Sequence, residues 1–435
     1  MGGKSSSLFG LIFMCSLFSQ KTQAFDKCGK RIEEGRRGYF SVYECNEKEQ
    51  LLSRKVFKEW DFIEENFYKP GELRPFKRRI LKSDQVMPAD YIFSYINEDE
   101  NDLSFESITV FDLEGNLKGK HKVQLERKDI ESFEKNSILK PKALIIDSGF
   151  SFTHPNLKNH VFYNALETLN GDDDDGDNIK DNILGAHGVS VYESSATYTA
   201  NINEPMRLKS LGAPLSHGTA VADVAMKGLK ETGFIGMSGD FHSPAFLYKA
   251  LEIINKHNVL VVNLSFGFGD RSQPGPVLDD SYDAMSGLIF SARNTLFIIA
   301  AGNSSVDFDE SDYSEFPACL RGSNVITVGA LNTNKIHEEF KDFYEPATIS
   351  NRGSRCIDFY APGENMKAAA VGDTVLTATG TSFSAPYTVN QILKISEENP
   401  ALSSREIKEI VFENIYRPKQ SELPSRSGGF LYLTH

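Results

Sequence analysis

The strongest constraint on this chain is an alternation that begins at Lys142, where short apolar runs are separated by stretches with helical spacing. Ala143 to Ile146, Val259 to Leu264, Leu296 to Ala300 and Val325 to Val328 are apolar almost throughout, as expected of strands buried on both faces. Between them, Ala245 to Asn255 and Tyr282 to Arg293 repeat apolar residues at helical spacing, and Glu231 to Met237 reads as a further strand. Strands that alternate with helices predict a parallel sheet covered on both faces, because a parallel connection must cross over and a helix fills that crossover. A last helix is expected from Ser403, with Glu406 completing a capping box and Ile407, Ile410 and Val411 forming the apolar face. The fold class is therefore α/β, three layers around a mostly parallel central sheet, over residues 139–435.

The preceding residues have a different texture. Residues 1–24 carry Lys4, an apolar stretch from Leu8 to Phe18 and the small-residue ending Thr22-Gln23-Ala24, the parts of a cleaved export signal. The apolar stretch is too short to span a bilayer, so a secreted, soluble protein beginning near Phe25 is expected, with no stable membrane anchor. Residues 25–138 are highly charged and carry no motif tied to chemistry. They are expected to form a smaller N-terminal α+β domain, with Ile108 to Phe111 and Lys120 to Val123 as a hairpin about Leu113-Glu114-Gly115-Asn116. Cys28, Cys45, Cys319 and Cys356 remain beyond the signal, and the simplest of the three possible connectivities joins Cys28 to Cys45 and Cys319 to Cys356. A formal net charge of −13 argues against binding phosphate backbones or anionic lipid, so no nucleic-acid partner is expected; the protein is expected to be a monomer.

Chemistry-bearing residues stand where these strands end, which is the edge at which open α/β sheets bind ligands. Strand Ala143 to Ile146 runs into Asp147-Ser148-Gly149; an aspartate there is commonly a turn former or helix cap, and alone it specifies nothing. His217 opens the helix-like run His217-Gly218-Thr219-Ala220-Val221-Ala222, and a lone histidine is equally open to a structural role. Ser382 follows Gly380-Thr381 at a helix start, where an ordinary N-cap is the plain alternative. In that position the helix dipole favours an alkoxide-like hydroxyl, and the serine N–H is free to bind an oxyanion. Finally, Ile298 to Gly302 ends an apolar strand in small residues and leads to Asn303, whose amide can face developing negative charge.

Together, the segments Asp147-Ser148-Gly149, His217 to Ala222, Ala301-Gly302-Asn303-Ser304 and Gly380-Thr381-Ser382-Phe383-Ser384-Ala385-Pro386 resemble the subtilisin family of serine peptidases. The resemblance runs from about Pro141 to the C-terminus. It implies a serine endopeptidase acting through a covalent acyl-enzyme, with Asp147, His217 and Ser382 as catalytic triad and Asn303 as oxyanion donor. It further implies that Ser265, Phe266 and Gly267 pair with an extended polypeptide substrate, and that the chemistry requires no cofactor. Residues 25–138 stand where the family keeps its propeptide. A catalytically silent subtilisin-like fold used for binding is the alternative, disfavoured because every catalytic position is filled.

Asp223 and Asn390 replace glycines usual in the family, and the expectation is that they hydrogen-bond to each other across two helices. The run Gly171 to Asn178 offers Asp173, Asp175 and Asp177 as ligands for a structural calcium ion, with a solvated acidic loop as the equal alternative.

Overall fold

The computed structural model describes residues 31–431 except 34–38, 49, 59–60, 70–74, 81–88, 96–104, 112, 123–126, 169, 171, 177–178, 180–181, 190–196, 200–216, 240, 242, 270–275, 333–343, 371–373 and 420–422. The export signal, Cys28 and Asp177 fall outside these residues. The described chain divides into two compact units, one reaching to Lys118 and the other starting at Gly119. Residues 119–138, assigned to the N-terminal part on sequence, thus group with the second unit.

The first unit is built on a sheet of eight strands in simple sequential order: β1 (Arg31–Glu33), β2 (Tyr39–Cys45), β3 (Leu51–Lys58), β4 (Asp61–Tyr68), β5 (Pro75–Ile80), β6 (Ala89–Tyr95), β7 (Phe105–Phe111) and β8 (Leu117–Lys122), of which Leu117 and Lys118 fall in this unit. Pairing from β1 to β7 is antiparallel throughout, and the Leu113 to Asn116 turn joins β7 to its neighbour β8. Within residues 25–138 the described elements are these strands, α1 (Arg127–Glu131) and a short 3-10 helix (Glu134–Ile138). Cys45 is disulfide-bonded.

The second unit is built on a sheet of ten strands. In chain order its elements are β9 (Lys140–Asp147), β10 (Ala186–Val189), β11 (Thr197–Thr199), α2 (His217–Met226), β12 (Thr232–Ser238), α3 (Pro244–His257), β13 (Val261–Leu264), α4 (Pro276–Ser291), β14 (Leu296–Ala300), β15 (Val325–Leu331) and β16 (Phe359–Pro362). A separate hairpin of β17 (Met366–Ala370) and β18 (Thr374–Ala378) follows, then α5 (Thr381–Glu398), α6 (Ser404–Glu413), β19 (Ile415–Tyr416) and β20 (Phe430–Leu431). The spatial order is β11-β10-β12-β9-β13-β14-β15-β16-β20-β19, parallel except where β11 and β19 close the two edges.

Alternate residues of one strand serve opposite faces, which is why the runs are apolar without a break. Ala143 and Ile145 of β9 pack with Val221 of α2, Val389 and Ile392 of α5 and Ile407 of α6. Leu144 and Ile146 pack on the other face with Ile253 of α3 and Met285 and Ile289 of α4. Removing each such large aliphatic side chain from water contributes about 1.5–3 kcal/mol. The expected capping box forms at α6: Ser403 Oγ accepts the Glu406 N–H at 3.3 Å, and Glu406 Oε2 accepts the Ser403 N–H at 2.8 Å.

Successive strands β12 and β13 lie on opposite sides of β9. The chain therefore leaves the C-terminal end of β9 toward both sides, and the crevice this opens is where such sheets bind ligands. Asp147 is the last residue of β9, level with Ser238 of β12.

Candidate active site

Asp147 is carried to the crevice at the end of a strand buried from Ala143 onward and is itself 3% exposed. Its Oδ1 accepts the Ser148 N–H at 2.7 Å, and both its oxygens face His217 Nδ1, at 2.8 and 3.0 Å. A carboxylate at that distance fixes the imidazole with its proton on Nδ1, which makes Nε2 the acceptor nitrogen. Gly218 makes this approach possible. A Cβ at that position would lie 2.3 Å from the Gly149 carbonyl oxygen and 3.0 Å from Asp147 Cβ, so a larger residue would push the start of α2 away from β9. Thr219 adds a second tie, accepting the Ser151 N–H at 2.8 Å.

Ser382 lies in the first turn of α5, and the His217 ring sits 6.3 Å, centre to centre, from that of the adjacent Phe383. Pro386 stands inside the helix, four residues beyond Ser382, so its missing N–H leaves the Ser382 carbonyl without the usual helical donor. Ser265, just beyond β13, fills that gap by donating its hydroxyl to the Ser382 carbonyl oxygen at 3.0 Å. The Ser382 hydroxyl in turn points to the Ser265 carbonyl oxygen at 3.3 Å. Asn263 donates to Ser265 Oγ at 2.9 Å and so leaves the Ser265 proton for the helix.

Asn303 follows β14 and is exposed, but its orientation is set from beneath. Its Oδ1 accepts both the Thr381 N–H at 2.9 Å and the Thr381 hydroxyl at 3.0 Å, while Thr381 Oγ1 accepts the Gly302 N–H at 3.1 Å. With the carbonyl end thus engaged, the amide nitrogen faces the α5 start, 3.3 Å from where a Cβ of Gly380 would stand. Asn351 shapes the same loop, accepting the Ser304 and Val306 N–H groups and donating to the Ala301 carbonyl. In the sequence Thr381 figured only as part of the serine motif and Asn351 not at all, because each acts through partners distant along the chain.

Phe266 stacks on Phe241 with ring centres 4.2 Å apart, and the segment Ser265 to Gly267 extends β13 beyond the sheet. Asp147, His217, Ser382, Asn303 and Ser265 are thus joined by hydrogen bonds and neighbouring residues into one constellation at the end of the sheet.

Asp223 and Asn390 do not bond to each other as the sequence suggested. Asp223 Oδ2 accepts the Ala369 N–H of β17 at 2.7 Å, while Asn390 donates to the Ala225 and Lys227 carbonyls at 3.0 and 2.8 Å and so caps the end of α2. Backbone groups pair with Asp223 and with the Asn390 amide nitrogen, while Asn390 Oδ1 accepts from the Gln391 side chain at 3.2 Å, and sequence does not mark which backbone groups will be near.

In the acidic loop, Glu167, Asp173 and Asp175 bring one oxygen each within 4.8 Å of the others. Glu167 is buried and was missed on sequence, since it precedes the aspartate run. Its Oε1 accepts the Asp174 and Asp175 N–H groups at 3.0 Å each, and Lys256 pairs with Asp175. An all-carboxylate donor set suits calcium, which would share Asp175 with the lysine.

The model of the subtilase family matches residues 142–430. Subtilisin-like protease 1 of Plasmodium falciparum (isolate 3D7) is 25% identical over 320 residues, covering 68% of this chain and 43% of that protein. The match thus spans less than half of that relative's length. An intracellular serine protease of Paenibacillus polymyxa is 26% identical over 297 residues, covering 67% of this chain and 79% of that protein. A solved structure of a cold adapted subtilisin-like serine proteinase superposes with a TM-score of 0.43 at 20% identity, over 69% of this chain and 91% of that one. Among the described residues, no helix is long and apolar enough to cross a membrane.

Proposed function

Because this chain belongs to the subtilase family, we propose that it is a secreted serine endopeptidase that cleaves polypeptides through Asp147, His217 and Ser382. The observation that carries this reading is the double approach of His217 Nδ1 to Asp147 at 2.8 and 3.0 Å, beside the first turn of α5 where Ser382 sits.

Ser382 Oγ turns from the Ser265 carbonyl to His217 Nε2, gives up its proton there and attacks the scissile carbonyl carbon. Asp147 holds the ring and stabilises the imidazolium that forms. The carbonyl oxygen, now an oxyanion, accepts from the Asn303 amide and the Ser382 N–H, donors that need not reorganise as charge develops. Collapse breaks the C–N bond, and His217 passes its proton to the departing amine. Water then adds to the acyl-enzyme by the same route, restoring Ser382 and releasing the acid. The extended chain N-terminal to the scissile bond pairs with Ser265 to Gly267 as an added strand, which favours loops and unfolded segments as substrates.

The signal-like N-terminus and the Cys319–Cys356 disulfide, with its Cα atoms 4.5 Å apart, support export over the intracellular location in the name of the Paenibacillus relative. The N-terminal sheet unit acts as a propeptide, and the mature enzyme is a monomer. No cofactor enters the chemistry. Calcium at Glu167, Asp173 and Asp175 stabilises the loop, which calorimetry with added calcium and melting in chelator would test.

Labelling with a fluorophosphonate tests the central reading. Wild type is expected to label and Ser382→Ala not to; an unlabelled mature wild type, or a labelled alanine variant, would favour the silent binding fold. Intact mass of the active form should lack the N-terminal unit if it is a propeptide.

A further inference from the structure

Beside the proposed nucleophile lies a buried carboxylate that the reaction does not use. Strands β13 and β14 are neighbours, so the segments leaving their C-terminal ends, Ser265 to Gly267 and Ala301 to Gly302, flank the same part of the crevice. Each ends in glycine, and Glu315 reaches both. A Cβ at Gly267 would lie 2.3 Å from Glu315 Oε1, and a Cβ at Gly302 would lie 3.5 Å from Oε2. Bare backbone on two sides and a carboxylate between them make a narrow recess with a negative end.

Glu315 is 8% exposed, and its oxygens accept only from neutral donors: the Gly269 N–H to Oε1 at 3.1 Å and the Tyr313 hydroxyl to Oε2. Among the described residues no lysine, arginine or histidine pairs with it. Charge buried without a counter-charge is costly, and each carboxylate oxygen keeps acceptor capacity beyond its single bond. A cation that reaches this recess regains what burial took from the carboxylate.

The reacting residue of the substrate has its carbonyl between Ser382 Oγ, which lies 3.3 Å from the Ser265 carbonyl oxygen, and Asn303, which directly follows Gly302. Its side chain therefore enters between Ser265–Gly267 and Gly302. We infer that Glu315 is a specificity-determining residue that selects lysine or arginine on the acyl side of the cleaved bond. The aliphatic stem of such a side chain packs along the glycine backbones and its charge meets Glu315. This rests on the peptidase reading and supplies its substrate class.

The test compares peptide substrates identical except at that residue, carrying lysine, arginine, norleucine, phenylalanine or glutamate, with enzyme purified from expression of the full chain. Lysine against norleucine isolates the charge at nearly constant shape. Wild-type kcat/KM is expected to favour lysine and arginine over norleucine by about tenfold or more, as for a desolvated charge pair. Glu315→Gln, which keeps an acceptor for Gly269 and Tyr313, should bring the lysine-to-norleucine ratio close to one. Wild type that turns over norleucine or phenylalanine as well as lysine, while still labelling with a fluorophosphonate, would overturn the specificity and leave the peptidase reading standing. A ratio unchanged in the glutamine variant would overturn it as well. No turnover of any peptide and no labelling would overturn both.

Discussion

Ser265 and Ser382 are bound to each other twice, the hydroxyl of each directed at the carbonyl oxygen of the other, at 3.0 and 3.3 Å. The pair exists because Pro386 withholds the helical N–H that would otherwise occupy the Ser382 carbonyl. It clamps the segment expected to hold substrate to the helix turn that carries the proposed nucleophile, so one contact sets the spacing between the two.

Ser265→Ala should therefore cost stability as well as rate. It strands a buried carbonyl, a loss of about 1–3 kcal/mol, read as a lowered denaturant midpoint. The rate of fluorophosphonate labelling should fall with it, because the turn holding Ser382 loses its tether.

Asn303→Ala removes the proposed oxyanion donor, which would face charge present only in the transition state. The expected outcome is a fall in kcat of about 10²–10³, the range typical of such donors in subtilisins, with KM nearly unchanged. A change mainly in KM would mean that Asn303 binds substrate in its ground state.

Gly218→Ala is predicted to damage activity more than its single methyl suggests. The new Cβ would lie 2.3 Å from the Gly149 oxygen, so α2 must shift and take His217 with it. Misplacement of about 1 Å at a reacting group costs about a hundredfold, and kcat of a variant shown by circular dichroism to be folded would measure this.

Acid sensitivity should arise in part at Glu397. Burial opposes ionisation of this carboxyl, but the N–H groups of Glu231, Lys230 and Thr232 and the Thr232 side chain outweigh it and hold the pKa below its usual 4.5. The folded state thus releases this proton more readily than the unfolded chain. Its contribution to stability is present above about pH 4.5 and is lost as pH falls through the lower folded value. Glu397→Gln should lower stability at neutral pH and flatten the acid limb of a stability-against-pH curve; an unchanged acid limb would locate the acid sensitivity elsewhere.

Much of the sheet was legible in the sequence. Ala143 to Ile146, Leu296 to Ala300 and Val325 to Val328 fall inside β9, β14 and β15, because strands covered on both faces leave uninterrupted apolar runs. The expected Val259 to Leu264 shortens to Val261–Leu264, since Val259 and Leu260 lie in the approach to the strand. Strands β17 and β18 went unread, as alanine-rich pairs give little periodic contrast, and β19 and β20 are two residues each. In the N-terminal unit, the hairpin at Leu113 to Asn116 was visible from its turn, whereas the charged neighbouring strands carried no comparable punctuation.

The sequence by itself determined the alternation of strand and helix, the placement of Asp147, His217, Asn303 and Ser382 at element ends, and the family to which those motifs point. These are local properties, written in residue type and spacing. Only the tertiary structure decided which distant groups meet: Thr381 beneath Asn303, Ala369 against Asp223, Ser265 on Ser382, and Glu315 between Gly267 and Gly302. Backbone amides, carbonyls and absent side chains carry no identity in a sequence, so the partners they choose become visible only once the sheet has brought its strand ends together.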